Sequence, residues 1–266
     1  MAATFEKYSK LIRSEGIRCG AQTLKLATTE EERRAVYKLR YKIFNQELGE
    51  GIKENEVTGL DQDIYDKYCD HLMILQGQEQ RVVGTYRLLH GPKRPPQGFY
   101  SEEEFNIDKL HIDPSMSVEL GRGCIDPEYR RQATLMNLLF GLTVYLDCTG
   151  SRYLFGCGSL PQQMNANDAK ASYKILDDRG DIVHGKVFPK DSHSFDGNAS
   201  LGQPSVPPLV EVYIKFGAKI FGEPAYDSIF GCYDVFILID REKVNEWGLQ
   251  MIERFDKRLQ GRGAEL

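Results

Sequence analysis

The sequence has no long apolar run and no excess of positive charge. Its longest apolar stretch, LLFGLTVYL at 138–146, is far shorter than the roughly 20 residues that a membrane-spanning helix needs. The formal net charge is −5, whereas a nucleic-acid-binding surface needs a basic excess. The first residues, MAATFEKYSKLIRSEG, lack the apolar segment of a secretion signal. We therefore predict a cytoplasmic protein with no nucleic-acid partner, and peripheral contact with the inner membrane stays open.

Cysteine patterns that bind metals are also missing. The six cysteines form no CxxC pair and show no short metal-binding spacing. Several lie in apolar stretches, where a reduced thiol packs as a small hydrophobic side chain. We predict a reducing compartment and no metal site. The six are at positions 19, 69, 124, 148, 157 and 232.

What the sequence does contain is the material of one globular α/β domain. Hydrophobic residues make up 41% of the 266 residues and charged residues 27%, which is enough apolar material for a core. No repeat, low-complexity tract or linker divides the chain, and β-rich runs alternate with helical patterns. We predict a single domain over 1–266, with a core at about 25–240 and a C-terminal amphipathic helix at about 241–260.

Turn residues and hydrophobic periodicity place the individual elements. Thr29 and Glu32 form a capping box that opens a helix, and GQEQ joins two β-rich runs as a hairpin. A polar stretch rich in Gly, Pro and Ser predicts a loop. The predicted helices cover 28–48, part of 98–110, 128–150, 165–176 and a segment ending near Gly217; the predicted strands cover 70–76, 81–90, 117–125, 152–160 and 233–240; the predicted loop covers 189–208.

One predicted strand, SVELGRGCI at 117–125, carries charged residues and glycines where a buried run is expected. Residues three apart on a regular strand point to opposite faces, so Glu119 and Arg122 share a cleft only if the strand is irregular. Gly121 and Gly123 favour a β-bulge or a close approach of a ligand. A bulge also frees backbone N–H groups, which can stabilise an oxyanion. The alternative is a structural ion pair at the end of the strand.

This strand, the following DPEYRRQ and the helix after it resemble the core of GNAT-type acyltransferases. In that superfamily the splayed strand receives a thioester and the helix N-terminus receives phosphates. The matching loop at 130–135 reads RRQATL, without the two glycines that let a backbone approach the pyrophosphate of coenzyme A. The resemblance therefore implies an acyl-phosphopantetheine donor on acyl-carrier protein, with no tightly bound cofactor.

Further motifs follow in the same order as in hemolysin-like GNAT proteins. LRYKIF, DIYDKYCDHL, VVGTYRLL, GFYSEEEF and LFGCGSLP all resemble segments of this family. The resemblance covers about 25–240. It is closest to ornithine-lipid-forming N-acyltransferases that use acyl-carrier protein, and more distant to N-acyl amino acid synthases and acyl-homoserine-lactone synthases. It implies a GNAT-like domain with a central mixed sheet, splayed at a β-bulge and flanked by helices.

The implied reaction is attack by the α-amine of an amino acid, ornithine first, on a long-chain fatty acyl thioester, with a 3-hydroxy chain as one form of the donor. An α-amine is mostly protonated at neutral pH, so a base is needed. Glu119 is the first candidate, and Asp70 with His71 the second. Arginine clamps the carboxylate of the acceptor. The resemblance implies substrate-binding roles for Arg40, Phe44, Asp66, Arg87, Phe105 and Arg122, and donor-binding roles for Gly121, Gly123, Cys124, Ile125, Arg130 and Arg131.

Other functions remain open on the sequence alone. The acceptor can be another amino acid. An acyl-homoserine-lactone synthase is less favoured, because the tryptophan that follows the Arg/Phe pair in that family is absent and the only Trp is residue 247. An acetyltransferase that uses acetyl-CoA is disfavoured by Ala133 and Leu135. From another class, a non-catalytic module that binds acyl chains or the carrier protein is the alternative.

Overall fold

The computed structural model describes residues 8–49, 51–160, 165–190, 197–228 and 230–262. Its strands and helices alternate along the chain. The strands are β1 (Ile17–Cys19), β2 (Gln22–Leu26), β3 (Asp70–Gln76), β4 (Arg81–His90), β5 (Phe105–Asn106), β6 (Ser117–Ile125), β7 (Tyr153–Ser159), β8 (Ile182–Val183), β9 (Phe188–Pro189), β10 (Lys219–Asp227) and β11 (Cys232–Asp240). The α-helices are α1 (Glu30–Tyr41), α2 (Ser101–Glu104), α3 (Gln132–Thr149), α4 (Ala166–Asp178), α5 (Pro208–Lys215) and α6 (Glu246–Arg262).

Nine strands form one mixed sheet in the order β1-β2-β3-β4-β6-β7-β11-β10-β8, and β5 pairs with β9 in a small second sheet. The pairs β6–β7 and β8–β10 are parallel, whereas β3–β4 and β10–β11 are antiparallel hairpins. This large mixed sheet with helices is the α/β architecture that the sequence predicts, so the predicted fold class is confirmed. None of the helices in the described ranges has the length and apolar character that spanning a bilayer requires.

The chain is organised as two compact units. The first takes in the residues up to Lys93, Leu120–Ser151 and the chain from Leu249 onward; the second takes in Arg94–Glu119 and Arg152–Gly248. Strand β6 contributes residues to both, because the boundary falls between Glu119 and Leu120. The single domain over 1–266 stays a prediction.

In the first unit, helix α1 begins with the predicted capping box. The Thr29 side chain accepts a hydrogen bond from the Glu32 N–H, and Glu32 accepts one from the Thr29 N–H. Its buried face, with Val36 and Leu39, joins a core that includes Met73 of β3. The helix continues past Tyr41 as a π-helical segment, Lys42–Leu48, which is a rare form often found at functional sites.

In the second unit, aromatic rings form much of the core. Phe155 of β7 contacts Phe99 edge-on at 4.9 Å between ring centroids and stacks on Phe236 of β11 at 5.4 Å. Phe236 in turn contacts Phe105 of β5 at 5.9 Å. Such pairs stabilise a core beyond the area that they bury.

The predicted elements differ from the observed ones mainly at boundaries. The α-helix predicted over 28–48 ends at Tyr41, and the one predicted from 128 begins at Gln132 because 127–129 form a 3-10 turn. The C-terminal helix begins at Glu246, and its Phe255 stacks on Phe140 at 4.3 Å. Strands β1, β2, β5, β8, β9 and β10 were not predicted from the sequence. The part of the predicted loop at 191–196 lies outside the described residues.

Candidate active site

The predicted irregularity of β6 is present, and its centre is Arg122. Arg122 has a φ of +49°, in the left-handed region that non-glycine residues seldom adopt. Gly123 is needed beside it, since a Cβ there would lie 2.1 Å from a ring carbon of Tyr86. A Cβ on Gly121 would lie 3.7 Å from the Arg87 guanidinium, which is an ordinary contact. The backbone kink therefore lies one residue beyond Gly121.

Glu119, the first candidate base, lies in the second unit at the start of α2. Its side chain is 5% exposed. One carboxylate oxygen accepts a hydrogen bond from the Tyr100 N–H at 2.7 Å, and the other accepts from the Ser101 N–H at 2.6 Å and from the Ser101 hydroxyl. Glu119 thus anchors the backbone at the N-terminus of α2, where orphan N–H groups need acceptors.

The first unit contains a buried network of arginines and aspartates, and Arg40 of α1 is at its centre. The Arg40 side chain is 0% exposed. Its Nε donates to Asp61 at 2.8 Å, and its two terminal nitrogens donate to Asp66 at 2.7 and 3.1 Å. Burial opposes the charge of Arg40, but the nearby Asp66 and Asp61 outweigh it and raise its pKa above the ordinary value. All three nitrogens of Arg40 are therefore occupied by protein carboxylates.

Two more arginines complete this Arg–Asp network. Arg87 of β4 donates to Asp63 at 2.5 Å and lies 3.7 Å from Asp66. Arg122 of β6 lies 3.3 Å from Asp63 and 3.5 Å from Asp61. Three guanidinium groups thus face three carboxylates, so the network is balanced in charge, as buried ions require.

The network explains why DQDIYD at 61–66 is so acidic, and only part of it was predicted from the sequence. Asp66 was predicted, whereas Asp61 and Asp63 were not. The signal in the sequence was three aspartates within six residues, a few residues before a predicted strand. That strand carries the candidate histidine, and the next strand carries a candidate arginine. Asp61 is fully buried, which a carboxylate tolerates only when it is paired.

The second candidate pair, Asp70 and His71, is separated by the alternation of β3. Asp70 accepts hydrogen bonds from the Tyr145 hydroxyl at 2.7 Å and from Lys93 at 2.9 Å. His71 lies within hydrogen-bonding distance of the Tyr37 hydroxyl at 3.2 Å and is 3.8 Å from Asp66. Burial, together with the positive charge of Arg40, lowers the pKa of His71 to about 4. His71 is thus neutral at pH 7 and belongs to the Arg–Asp network, whereas Asp70 does not.

The remaining predicted residues fall into three settings. Phe44, in the π-helical segment, lies under the Arg122 guanidinium at 5.9 Å, which is a cation–π contact. Phe105 is in the aromatic core of the second unit and is 1% exposed. Burial raises the pKa of the Cys124 thiol to about 12, so this thiol is inert.

The predicted donor-binding residues near α3 are closer to solvent. Ile125 ends β6, and its carbonyl accepts a hydrogen bond from Arg130 at 3.1 Å. Arg130 also holds Glu47 with two hydrogen bonds, at 2.6 and 2.8 Å. Arg131 is the exposed N-cap residue of α3, and no side-chain hydrogen bond caps the helix there. The N-terminus of α3 is therefore electropositive.

A second polar group in the second unit was missed altogether. Glu104 ends α2, Cys157 is on β7 and Asp234 is on β11. Their ligand atoms lie within 4.8 Å of one another, which is close enough to hold a cation between them. Burial and the charges of Asp234 and Asp227 raise the pKa of Glu104 to about 10.

Comparisons with known proteins found similar sequences and similar folds. The GNAT acetyltransferase domain family matches residues 39–140. The L-ornithine Nα-acyltransferase of Brucella abortus (strain 2308) is 30% identical over 249 residues, which cover 86% of this chain and 87% of that protein. Two solved structures are similar in fold. The CoA-dependent acyl-homoserine lactone synthase BjaI has a TM-score of 0.51 at 14% identity, covering 90% of each chain. The N-acyl amino acid synthase FeeM from uncultured soil microbes has a TM-score of 0.50 at 11% identity, covering 87% of this chain and 94% of that one.

Proposed function

We propose, since this chain belongs to the family of the L-ornithine Nα-acyltransferases within the GNAT acyltransferases, that it transfers a long-chain acyl group from acyl-carrier protein to the α-amine of ornithine. The single observation that carries this proposal is the 30% identity to the Brucella abortus enzyme over most of both chains. The product is an N-acyl amino acid of the lyso-ornithine-lipid type. The donor carries a fatty chain, with a 3-hydroxy chain as the form to test first.

In the proposed reaction, the nitrogen of the acceptor forms a bond to the thioester carbonyl carbon, and the carbon–sulfur bond of the donor breaks. The amine loses a proton to the enzyme, and the leaving phosphopantetheine thiolate gains one. Glu119 is the proposed proton acceptor, because its buried carboxylate already receives the Ser101 hydroxyl, which can relay a proton. His71 is the second candidate: its neutral ring can accept a proton, and its pKa of about 4 is close to the ordinary pKa of a glutamate.

For the acceptor carboxylate, Arg122 is the arginine that we favour. Its contacts with Asp61 and Asp63, at 3.5 and 3.3 Å, are long compared with the 2.7 and 2.8 Å bonds of Arg40. Arg122 also keeps 9% side-chain exposure, whereas Arg40 has none. An incoming carboxylate therefore displaces weaker interactions at Arg122 and can accept two parallel hydrogen bonds from it.

For the donor, the loop RRQATL supports a carrier-protein thioester over acyl-CoA. Ala133 and Leu135 stand where GNAT enzymes that use acetyl-CoA are expected to have glycines, so their side chains crowd a pyrophosphate site. Arg131 is exposed beside the N-terminus of α3, a suitable place for the single phosphate of phosphopantetheine or for the acidic surface of a carrier protein.

The proposal is tested with the purified chain, ornithine and matched acyl donors. We expect acyl-ornithine, identified by mass spectrometry, to form faster with acyl-carrier protein than with acyl-CoA of the same chain. Donors with and without a 3-hydroxy group, and a panel of other amino acids, define the two substrates. Glu119→Gln is expected to lower kcat by about 100-fold or more while donor binding persists.

The contradicting outcomes are specific. Preference for another amino acid would overturn ornithine as the acceptor, and equal rates with acyl-CoA would overturn the carrier protein as the preferred donor. Donor binding with no acyl-amide for any amino acid would favour the non-catalytic module. If Glu119→Gln keeps full turnover, Glu119 is not the base.

A further inference from the structure

From the cluster of Glu104, Cys157 and Asp234 we infer a cation subsite that binds the side-chain ammonium of the acceptor and so selects a diamino acid. This inference rests on the proposed function for the identity of the acceptor. It goes beyond that function because it assigns residues to acceptor selectivity.

Glu104 is a buried carboxyl group without a hydrogen-bond partner. It is 5% exposed, and neither of its carboxylate oxygens makes a hydrogen bond to any residue that the structure describes. Cys157 and Asp234 lie close to it, with their ligand atoms within 4.8 Å of its carboxylate. Buried polar oxygens are nearly always paired, so two carboxylate oxygens without donors point to a ligand.

The groups around Glu104 are acidic, and their charges together with burial keep a proton on Glu104. Asp234 is 4% exposed, and within the described ranges neither Glu104 nor Asp234 forms an ion pair with a lysine, arginine or histidine. Asp227 adds a third carboxylate nearby, and its charge is one cause of the raised pKa of Glu104. In contrast to the balanced Arg–Asp network of the first unit, Glu104 can ionise in this cluster only together with a bound cation.

The cluster is next to the predicted base within the second unit. Glu119 is anchored at the start of the four-residue helix α2, and Glu104 is its last residue. The charge of Glu119 also acts on the buried Cys157 thiol of the cluster and contributes to its raised pKa. An amino acid whose α-amine is near Glu119 therefore has its side chain close to Glu104.

A primary ammonium fits this cluster better than a metal ion does. An ammonium has three N–H donors, and the cluster offers two carboxyl groups and a sulfur. Burial and the charge of Glu104 raise the pKa of Cys157 above its ordinary value, so an ammonium can bind beside the neutral thiol, whereas a metal ion would have to displace the thiol proton. The ammonium also allows Glu104 to ionise when the acceptor binds.

The test compares ornithine with norvaline, which has the same carbon chain but lacks the side-chain amine. In the wild-type chain we expect kcat/KM for ornithine to exceed that for norvaline by at least about tenfold. One hydrogen bond to a charged group contributes a preference of about this size. Glu104→Gln should remove most of that preference through KM and leave the rate with norvaline nearly unchanged. The matched control is Glu103→Gln, because Glu103 is the exposed neighbour on the same helix.

Calorimetric binding of the two amino acids, in buffers of different ionisation enthalpy, gives a readout that does not depend on turnover. Ornithine, but not norvaline, should release about one proton at pH 8 in the wild type, and none in Glu104→Gln. If Glu104→Gln does not fold, Asp234→Asn is the second variant for the same comparison.

The outcomes separate the two proposals. Turnover of ornithine with no preference over norvaline, or a preference that survives in Glu104→Gln, overturns the subsite and leaves the proposed function intact. Turnover of neither amino acid, with Glu104-dependent binding of ornithine, overturns the proposed function and leaves the subsite. Stoichiometric zinc that is retained by the wild type and lost from Glu104→Gln assigns the cluster to a metal and overturns the ammonium subsite.

Discussion

Gly121 and Gly123 flank Arg122 on β6, and the two glycines differ in their surroundings. At Gly123 a Cβ would lie 2.1 Å from the Tyr86 ring, and at Gly121 it would lie 3.7 Å from Arg87. We expect Gly123→Ala to lower the free energy of unfolding by about 1–3 kcal/mol, because the ring or the strand must move. Urea unfolding measures the change.

The matched control for this prediction is Gly121→Ala. It should change the free energy of unfolding by less than about 0.5 kcal/mol, since its Cβ makes only ordinary contacts. Equal destabilisation by both substitutions would contradict the packing argument and indicate that the whole segment rejects side chains.

Single residues also show which parts of a site can be predicted from the sequence. Arg40, Arg87 and Arg122 were predicted together, and the structure places all three in one network. Their partners Asp61 and Asp63 were missed, because a charged residue in a loop is exposed far more often than buried. Glu104 was missed for the same reason: SEEEF presents three glutamates in a row, and only burial in the fold distinguishes the last one.

At the scale of elements, the capping box of α1 is a local feature whose contribution can be measured. The Glu32 N–H donates to the Thr29 hydroxyl at 3.2 Å. We expect Thr29→Ala to lower the free energy of unfolding by about 1 kcal/mol, because this N–H loses its acceptor. Thr29→Ser keeps the hydroxyl and should stay close to the wild type. A shift of the urea midpoint at unchanged m-value would confirm the effect, and equal shifts for both variants would contradict it.

The missed strand β10 shows why element prediction fails where strands are irregular. Its sequence KIFGEPAYD has Gly222 and Pro224 at its centre, which favour a turn. The structure instead has a register shift between Phe221 and Ala225 against β11, and Gly222 adopts a φ of +73°. A bulge accommodates both residues without ending the strand, and only pairing with β11 reveals it.

The π-helical segment is a second case in which tertiary context decides. The apolar spacing of 28–48 fits a regular helix, and α1 does follow it to Tyr41. Beyond that residue the helix widens to the π form, with Phe44 placed under Arg122. The apolar periodicity of the sequence carries no information on a contact between residues so distant along the chain. The change of helix type therefore could not be predicted.

At the scale of the whole molecule, fold class was predictable because it depends on the order of elements and on a family resemblance. The number of cooperative units was less predictable, because it depends on interactions between segments that are distant in sequence. The chain forms two compact units, and β6 belongs to both. Because β6 runs through both, we predict one cooperative transition, as expected of a single domain.

This prediction can be tested by weakening the first unit and observing the second. Arg40→Met leaves Asp61 and Asp66 without their buried partner, which should cost about 3–5 kcal/mol. Trp247, the only tryptophan, packs on Phe216 within the second unit at 5.0 Å between ring centroids. Thermal unfolding is followed by far-UV circular dichroism and by Trp247 fluorescence, with Thr29→Ala as the milder variant if Arg40→Met does not fold. In a single domain both midpoints fall together, because the unit that contains the tryptophan unfolds with the unit that was weakened. A fluorescence midpoint that stays at the wild-type temperature, while part of the dichroism is lost earlier, would show that the chain contains two independent domains.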